Sequence, residues 1–242
     1  MSQNMRYIPD TGRDRMKAWV LLLMVLAAWL LPCAALGEGA AMAQARLRLQ
    51  ALDIAVSDAL AGEVEQAQAA MAQHMARTGM RAEETTPGST VYDLLIFMGC
   101  GDYSQDTGEW MPTSDRVYAF DAEVYDIEHM YTRFLLGMQA IIPGIAITDV
   151  REDLSGMAED MNFSGVDGTR SVDFCVNEHP YSVTLESRGD WFNEEMIAFF
   201  MDVLEKEQYP GRLHQITGDM DQMVILFYGS DADALRLRLA LQ

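Results

Sequence analysis

Residues 171–187 read SVDFCVNEHPYSVTLES, and the reading of this stretch decides the fold. Val172, Phe174 and Val176 alternate with Asp173, Cys175 and Asn177, and YSVTLES after them alternates in the same way. Successive side chains of a strand point to opposite faces, so each run predicts a strand with one side buried. Glu178, His179 and Pro180 supply the turn of a hairpin between them. Asp173, Asn177, Ser182, Thr184 and Glu186 are then expected on one polar face, open to solvent if helices cover only the other.

Working outward, Asp190 can cap a helix from Trp191 to about Glu207. RLHQIT (212–217) and QMVILFYG (222–229) flank Gly218-Asp219-Met220-Asp221 as a second hairpin. Ser230 and Asp233 form a capping pair that opens a final helix. Upstream, VYDLLIFM (91–98) reads as a buried strand, and VYAFDAE (117–123) alternates as another. Ile127, Met130, Tyr131, Phe134, Leu135, Met138, Ile141 and Ile142 then follow a 3.6-residue period, with Asp126 as N-cap and Pro143-Gly144 as the stop. IAITDV (145–150) returns as a strand.

Both halves thus read strand, strand, helix, strand. The expected fold is α+β, an antiparallel sheet built from two β-β-α-β-like units with helices mainly on one face. The units would be a duplication, 91–150 and 171–242, within one domain at 91–242. An Ala-rich helical segment at 38–82 precedes it, with a narrow stripe of Leu52, Val56, Leu60 and Val64 and an expected break at Gly62. Residues 83–90, around Pro87-Gly88, read as a linker.

The first 37 residues are of another kind. Ala18–Leu31 carries no charge, follows Lys17 and three arginines, and ends at Pro32 before the small residues CAALG. A positive start, an apolar middle and a small-residue cut site make a signal peptide; Ala18–Leu36 retained would make a membrane anchor instead. In either case the body past residue 37 is expected outside the cytoplasm, secreted or tethered. That body carries 13 basic and 35 acidic groups, a net of −22 within a chain total of −20. A surface so anionic repels a phosphate backbone, which excludes nucleic acid as a partner.

No phosphate-binding loop, dinucleotide fingerprint, zinc-protease motif or nucleophile elbow occurs. Cys100 lies between two glycines, where a nucleophile could approach a ligand if a histidine joined it in the fold. It could equally pair with Cys175 in an oxidising compartment. Asp160, Asn162, Ser164 and Gly165 fill the opening positions of a calcium loop, but Ser171 stands where a bidentate glutamate belongs. Asp102, Ser104 and Asp106 alternate similarly, with the glycine one residue late. These partial matches read as solvated loops, so no cofactor is expected and calcium stays the one alternative; His74, His129, His179 and His214 have no metal-ligand spacing.

Three functions follow as expectations. The first is an exported, non-enzymatic binding domain whose polar face meets an extracytoplasmic protein or a glycan, with Trp110 or Trp191 as a platform. The second is a cell-surface hydrolase that uses Cys100 or an acidic cluster. The third is a structural subunit that assembles through the helix at 40–79.

Overall fold

A computed structural model describes residues 39–81, 85–105, 108–124, 126–157, 168–217 and 222–242. The signal or anchor segment, the calcium-loop residues Asp160, Asn162 and Ser164, Asp106 and the Gly218–Asp221 turn lie outside them.

Helices and antiparallel sheets alternate along the chain, an α+β architecture. Helices α1 (Ala40–Gln50), α2 (Asp58–Thr78) and α3 (Pro87–Cys100) come first, then a small hairpin of β1 (Asp102–Ser104) and β2 (Glu109–Met111). There follow β3 (Val117–Asp121), α4 (Met130–Ile141), β4 (Ile147–Asp153), β5 (Thr169–Val176) and β6 (His179–Glu186). Helix α5 (Glu195–Lys206), β7 (Arg212–Gln215), β8 (Met223–Gly229) and α6 (Asp231–Ala240) complete it.

The described strands form not one sheet but two of three strands each, beside the β1–β2 hairpin. Sheet I has the order β3-β8-β7 and sheet II the order β4-β5-β6, all antiparallel. Each takes one strand from the first half of the domain and two from the second, so the halves interlock. Helix α4 carries the chain from sheet I to sheet II, and α5 carries it back.

Two apolar cores lie on opposite faces of sheet I. Tyr118, Val224, Leu226 and Tyr228 face a core shared with α4, α5 and the inner face of sheet II, where Val172, Phe174, Val176 and Leu185 sit. Val117, Ala119, Ile225 and Phe227 face a second core with α1, α2, α3 and α6. Burial on both sides explains the unbroken apolar run of β8, Val224–Tyr228.

Residues 91–98 form no strand; they are the middle of α3. Thr86 accepts a hydrogen bond from Ser89 N–H, Ser89 Oγ accepts one from Thr86 N–H, and Pro87 fills the first turn. Val91, Leu94, Leu95 and Met98 then share one face at helical spacing. The linker expected at 83–90 thus ends in a helix start. Gly99 lets α3 touch β3 directly, since a Cβ there would stand 2.5 Å from Ala119 N.

The Ala-rich segment also differs from expectation. It breaks at Ala51–Ser57, not at Gly62, because Leu52 and Ile54 turn into the second core and Ser57 caps α2 at Leu60 N–H, 3.1 Å away. Elsewhere the expected signals hold. The Asp126 carboxylate accepts His129 N–H just before α4, Ser230 caps α6, and the apolar face of α4 is buried. Helix α5 starts at Glu195 rather than Trp191, with Asn193 Oδ1 accepting Glu195 N–H at 3.0 Å.

Candidate functional site

The outer face of sheet II is polar and exposed. Alternation along β5 turns Arg170, Val172, Phe174 and Val176 inward and Thr169, Ser171, Asp173 and Cys175 outward. Register aligns the outward side chains in rows across three strands: Asp153–Ser171–Thr184, Arg151–Asp173–Ser182 and Thr148–Cys175–Pro180. Ser171 and Thr184 share a hydrogen bond of 2.9 Å, and Glu186 stands opposite Thr169.

A bulge in β4 makes these rows possible. The register shifts between Thr148 and Arg151, where Asp149 takes a left-handed φ of 55°. Left-handed backbone is costly for a residue with a side chain, and such positions recur where a side chain must be re-aimed. The extra residue reverses the inside-outside pattern, so Arg151 meets Asp173 outside while Glu152 turns inward. Inside, Glu152 Oε2 accepts from Arg170 Nη1 at 3.0 Å, and Glu152 Oε1 accepts from Thr132 N–H and Oγ1–H at 2.7 and 2.8 Å. The face is therefore seated on a buried ion pair that also caps the first turn of α4.

Between the rows lies a shallow depression of about 330 Å³ bordered by Asp149, Arg151, Asp173, Cys175, Pro180 and Ser182. It offers carboxylate acceptors, a guanidinium donor and a hydroxyl that does both. Asp153, at the edge, has its carboxyl held below the ordinary range by the Ser155 backbone N–H.

Of the expected face residues, Asp173, Ser182, Thr184 and Glu186 lie together as read. Asn177 does not. With Glu178 it forms the hairpin turn, both in left-handed backbone, and its side chain holds Ala146 N–H at 3.2 Å and Tyr209 Oη at 3.0 Å. His179 and Pro180, expected in the turn, belong to β6. Sequence reading missed Asp149, Arg151 and Asp153. ITDVRED alternates well enough to have continued β4 past Val150, but nothing in it announces the bulge.

Cys100 ends α3 against the second core, while Cys175 lies on the sheet II face; both are free thiols, and the expected bridge between them is not made. Burial, with the Asp121 charge adding to it, pushes the Cys100 thiol up to about 11, so it stays protonated at neutral pH. Three histidines have acidic neighbours instead: His129 meets Asp126, His179 meets Glu207, and His214 approaches Asp231 at 3.7 Å. Trp110 and Trp191 are exposed but do not border the depression; Trp110 instead meets Tyr103 edge to face across the β1–β2 hairpin. Among the described residues no group of three or more His, Cys, Asp or Glu side chains could hold a metal ion, and no helix is long and apolar enough to cross a membrane. No family model, curated protein or solved structure matches the chain.

Proposed function

We propose that this protein is an exported, non-enzymatic binding domain that holds a neutral glycan on the outer face of sheet II. One observation carries the reading: three aligned rows of hydroxyl, carboxylate and guanidinium groups on a face that no described helix covers. Protein-binding hot spots concentrate buried aromatic anchors, whereas the two aromatic residues that border this depression, Phe174 and Tyr181, turn their rings toward the inner core. A hydroxyl-rich polymer needs donors and acceptors alternating over a shallow surface, which Arg151, Asp173 and Ser182 supply. The net charge of −20 disfavours an anionic polymer. Export rests on the Ala18–Leu31 run with its basic start and small-residue end. The protonated Cys100 thiol gives the hydrolase reading no support.

The test is a titration of the full chain with a panel of neutral oligosaccharides, followed by amide shifts. Shifts should gather at Asp149, Arg151, Asp173 and Ser182. Asp173→Ala with Ser182→Ala should weaken binding about tenfold or more, the loss expected for two hydrogen bonds. Cys100→Ala should leave binding unchanged. Binding indifferent to the double variant, capture of a protein on this face instead, or ligand cleavage that disappears with Cys100→Ala would each overturn the proposal. The mass of the extracytoplasmic product decides between cleavage near Gly37 and a retained anchor.

A further inference from the structure

Helix α2 is 21 residues long, about 31 Å, yet its buried residues are only Ala61 and Val64. From Glu65 onward it has no buried side chain, and Gln68 Nε2 to Asp93 Oδ2, 2.7 Å, is its polar tie to α3 there. This projecting half carries Ala67, Ala69, Ala70, Met71, Ala72, Met75 and Ala76, and Met71 is 59% exposed. A helix lying in water with so little tertiary support is marginal, because most helical stability in proteins comes from packing. Beside it, α2 and α3 enclose a groove of about 490 Å³ lined by Met71, Met75, Phe97, Gln68, Asp93 and Arg81. Burial has already raised the Asp93 carboxyl above the usual carboxylate range, with Gln68 opposing, so the groove wall is partly dry.

The charges on α2 say what covers it. Acidic Glu63 and Glu65 lie in its first half, and Arg77 is near its end with Arg81 just beyond. None of the four has an ion-pair partner among the described residues. Glu63, Ala70 and Arg77 recur every seven residues and so lie along one side of the helix, next to Met71. A two-fold axis crossing α2 at Ala70, midway between them, places Glu63 beside Arg77 of a second copy, and Arg77 beside its Glu63. The pattern is self-complementary only when the two helices run antiparallel.

We infer that α2 is a homodimerisation helix, packing antiparallel on the α2 of a second copy with Met71 beside the two-fold axis and Met75 turned into the α2–α3 groove. The contact is isologous and closes at two copies. Flexible thioethers suit such a seam because they fill irregular gaps. This surface is separate from the sheet II face, so either proposal can fail alone.

Sedimentation of the full chain over a wide concentration range tests it. The chain should form dimers that dissociate on dilution. Met71→Glu, at an exposed position that the monomer fold does not need, should abolish the dimer while far-ultraviolet helix signal and melting of the monomer stay. Glu63→Arg or Arg77→Glu alone should weaken association about tenfold or more, a common loss for interfacial charge pairs, and the two changes combined should restore it. A chain that stays monomeric throughout, a dimer indifferent to Met71→Glu, or a charge-reversed pair that fails to recover would overturn the inference.

Discussion

Arg170 is among the largest side chains fully withdrawn from solvent, and it sits at an inward position of β5 where an apolar residue is the ordinary choice. Glu152 answers its charge, and the Tyr131 ring lies 5.4 Å from its guanidinium carbon. Removing one partner of a buried pair strands the other, so Arg170→Met should destabilise the protein by about 3–5 kcal/mol. Adding Glu152→Leu should recover much of that loss, because two apolar groups replace two desolvated charges; chemical denaturation of both variants measures it. Glu207 offers a second test at this scale. The Tyr181 hydroxyl donates to its carboxylate and, with His179, holds the carboxyl below its ordinary value of 4.5. A carboxyl depressed in the native state contributes stability above that ordinary value and loses it as pH falls through the native one. Melting temperature followed from neutral pH into acid should therefore fall less steeply in Tyr181→Phe than in the unmodified chain. An unchanged slope would show that the hydroxyl does not set this titration.

At the scale of elements, contact between α3 and β3 depends on Gly99, and Gly137 of α4 meets the Tyr118 ring on the other side, 2.5 Å from where a Cβ would stand. Strand β3 is thus held between two helices that approach it through glycines. Gly99→Ala should cost about 1–3 kcal/mol by overpacking, since backbone cannot swing aside as a side chain can; a drop in melting temperature reads it. This contact also explains which elements were legible beforehand. Strands β5 and β6 and helix α4 announce themselves because each has one wet side, and alternation or helical period shows that side. Helix α3 and strand β8 are apolar nearly all round, so their periodicity carries little information, and β8 was readable only from the turn residues before it. For 91–98 the decisive signal was instead the Thr86-Pro87 start, which is short and easily taken for a turn. Within the candidate site Asp173, Ser182, Thr184 and Glu186 were readable from parity alone. Arg151 was not, because its side depends on a bulge that reverses parity without a glycine or proline to mark it.

For the molecule as a whole, the central fact is that both cores share sheet I. Neither can come apart without uncovering a face of β3 and β8, so thermal unfolding of the described body should be a single transition with equal calorimetric and van't Hoff enthalpies. Backbone amides of β8, paired on both sides and buried on both faces, should exchange most slowly, at the rate of global opening. Two resolved transitions, or faster exchange in β8 than in β5, would contradict this. The register of sheet I has one more consequence. Val117 pairs with Phe227, and among the described residues β3 has no other strand partner. A nascent chain leaving a ribosome from its N-terminus cannot close sheet I until β8 has emerged. Until then β3 lacks its β8 partner and neither core has its floor, so the described body completes its fold only after β8 is made.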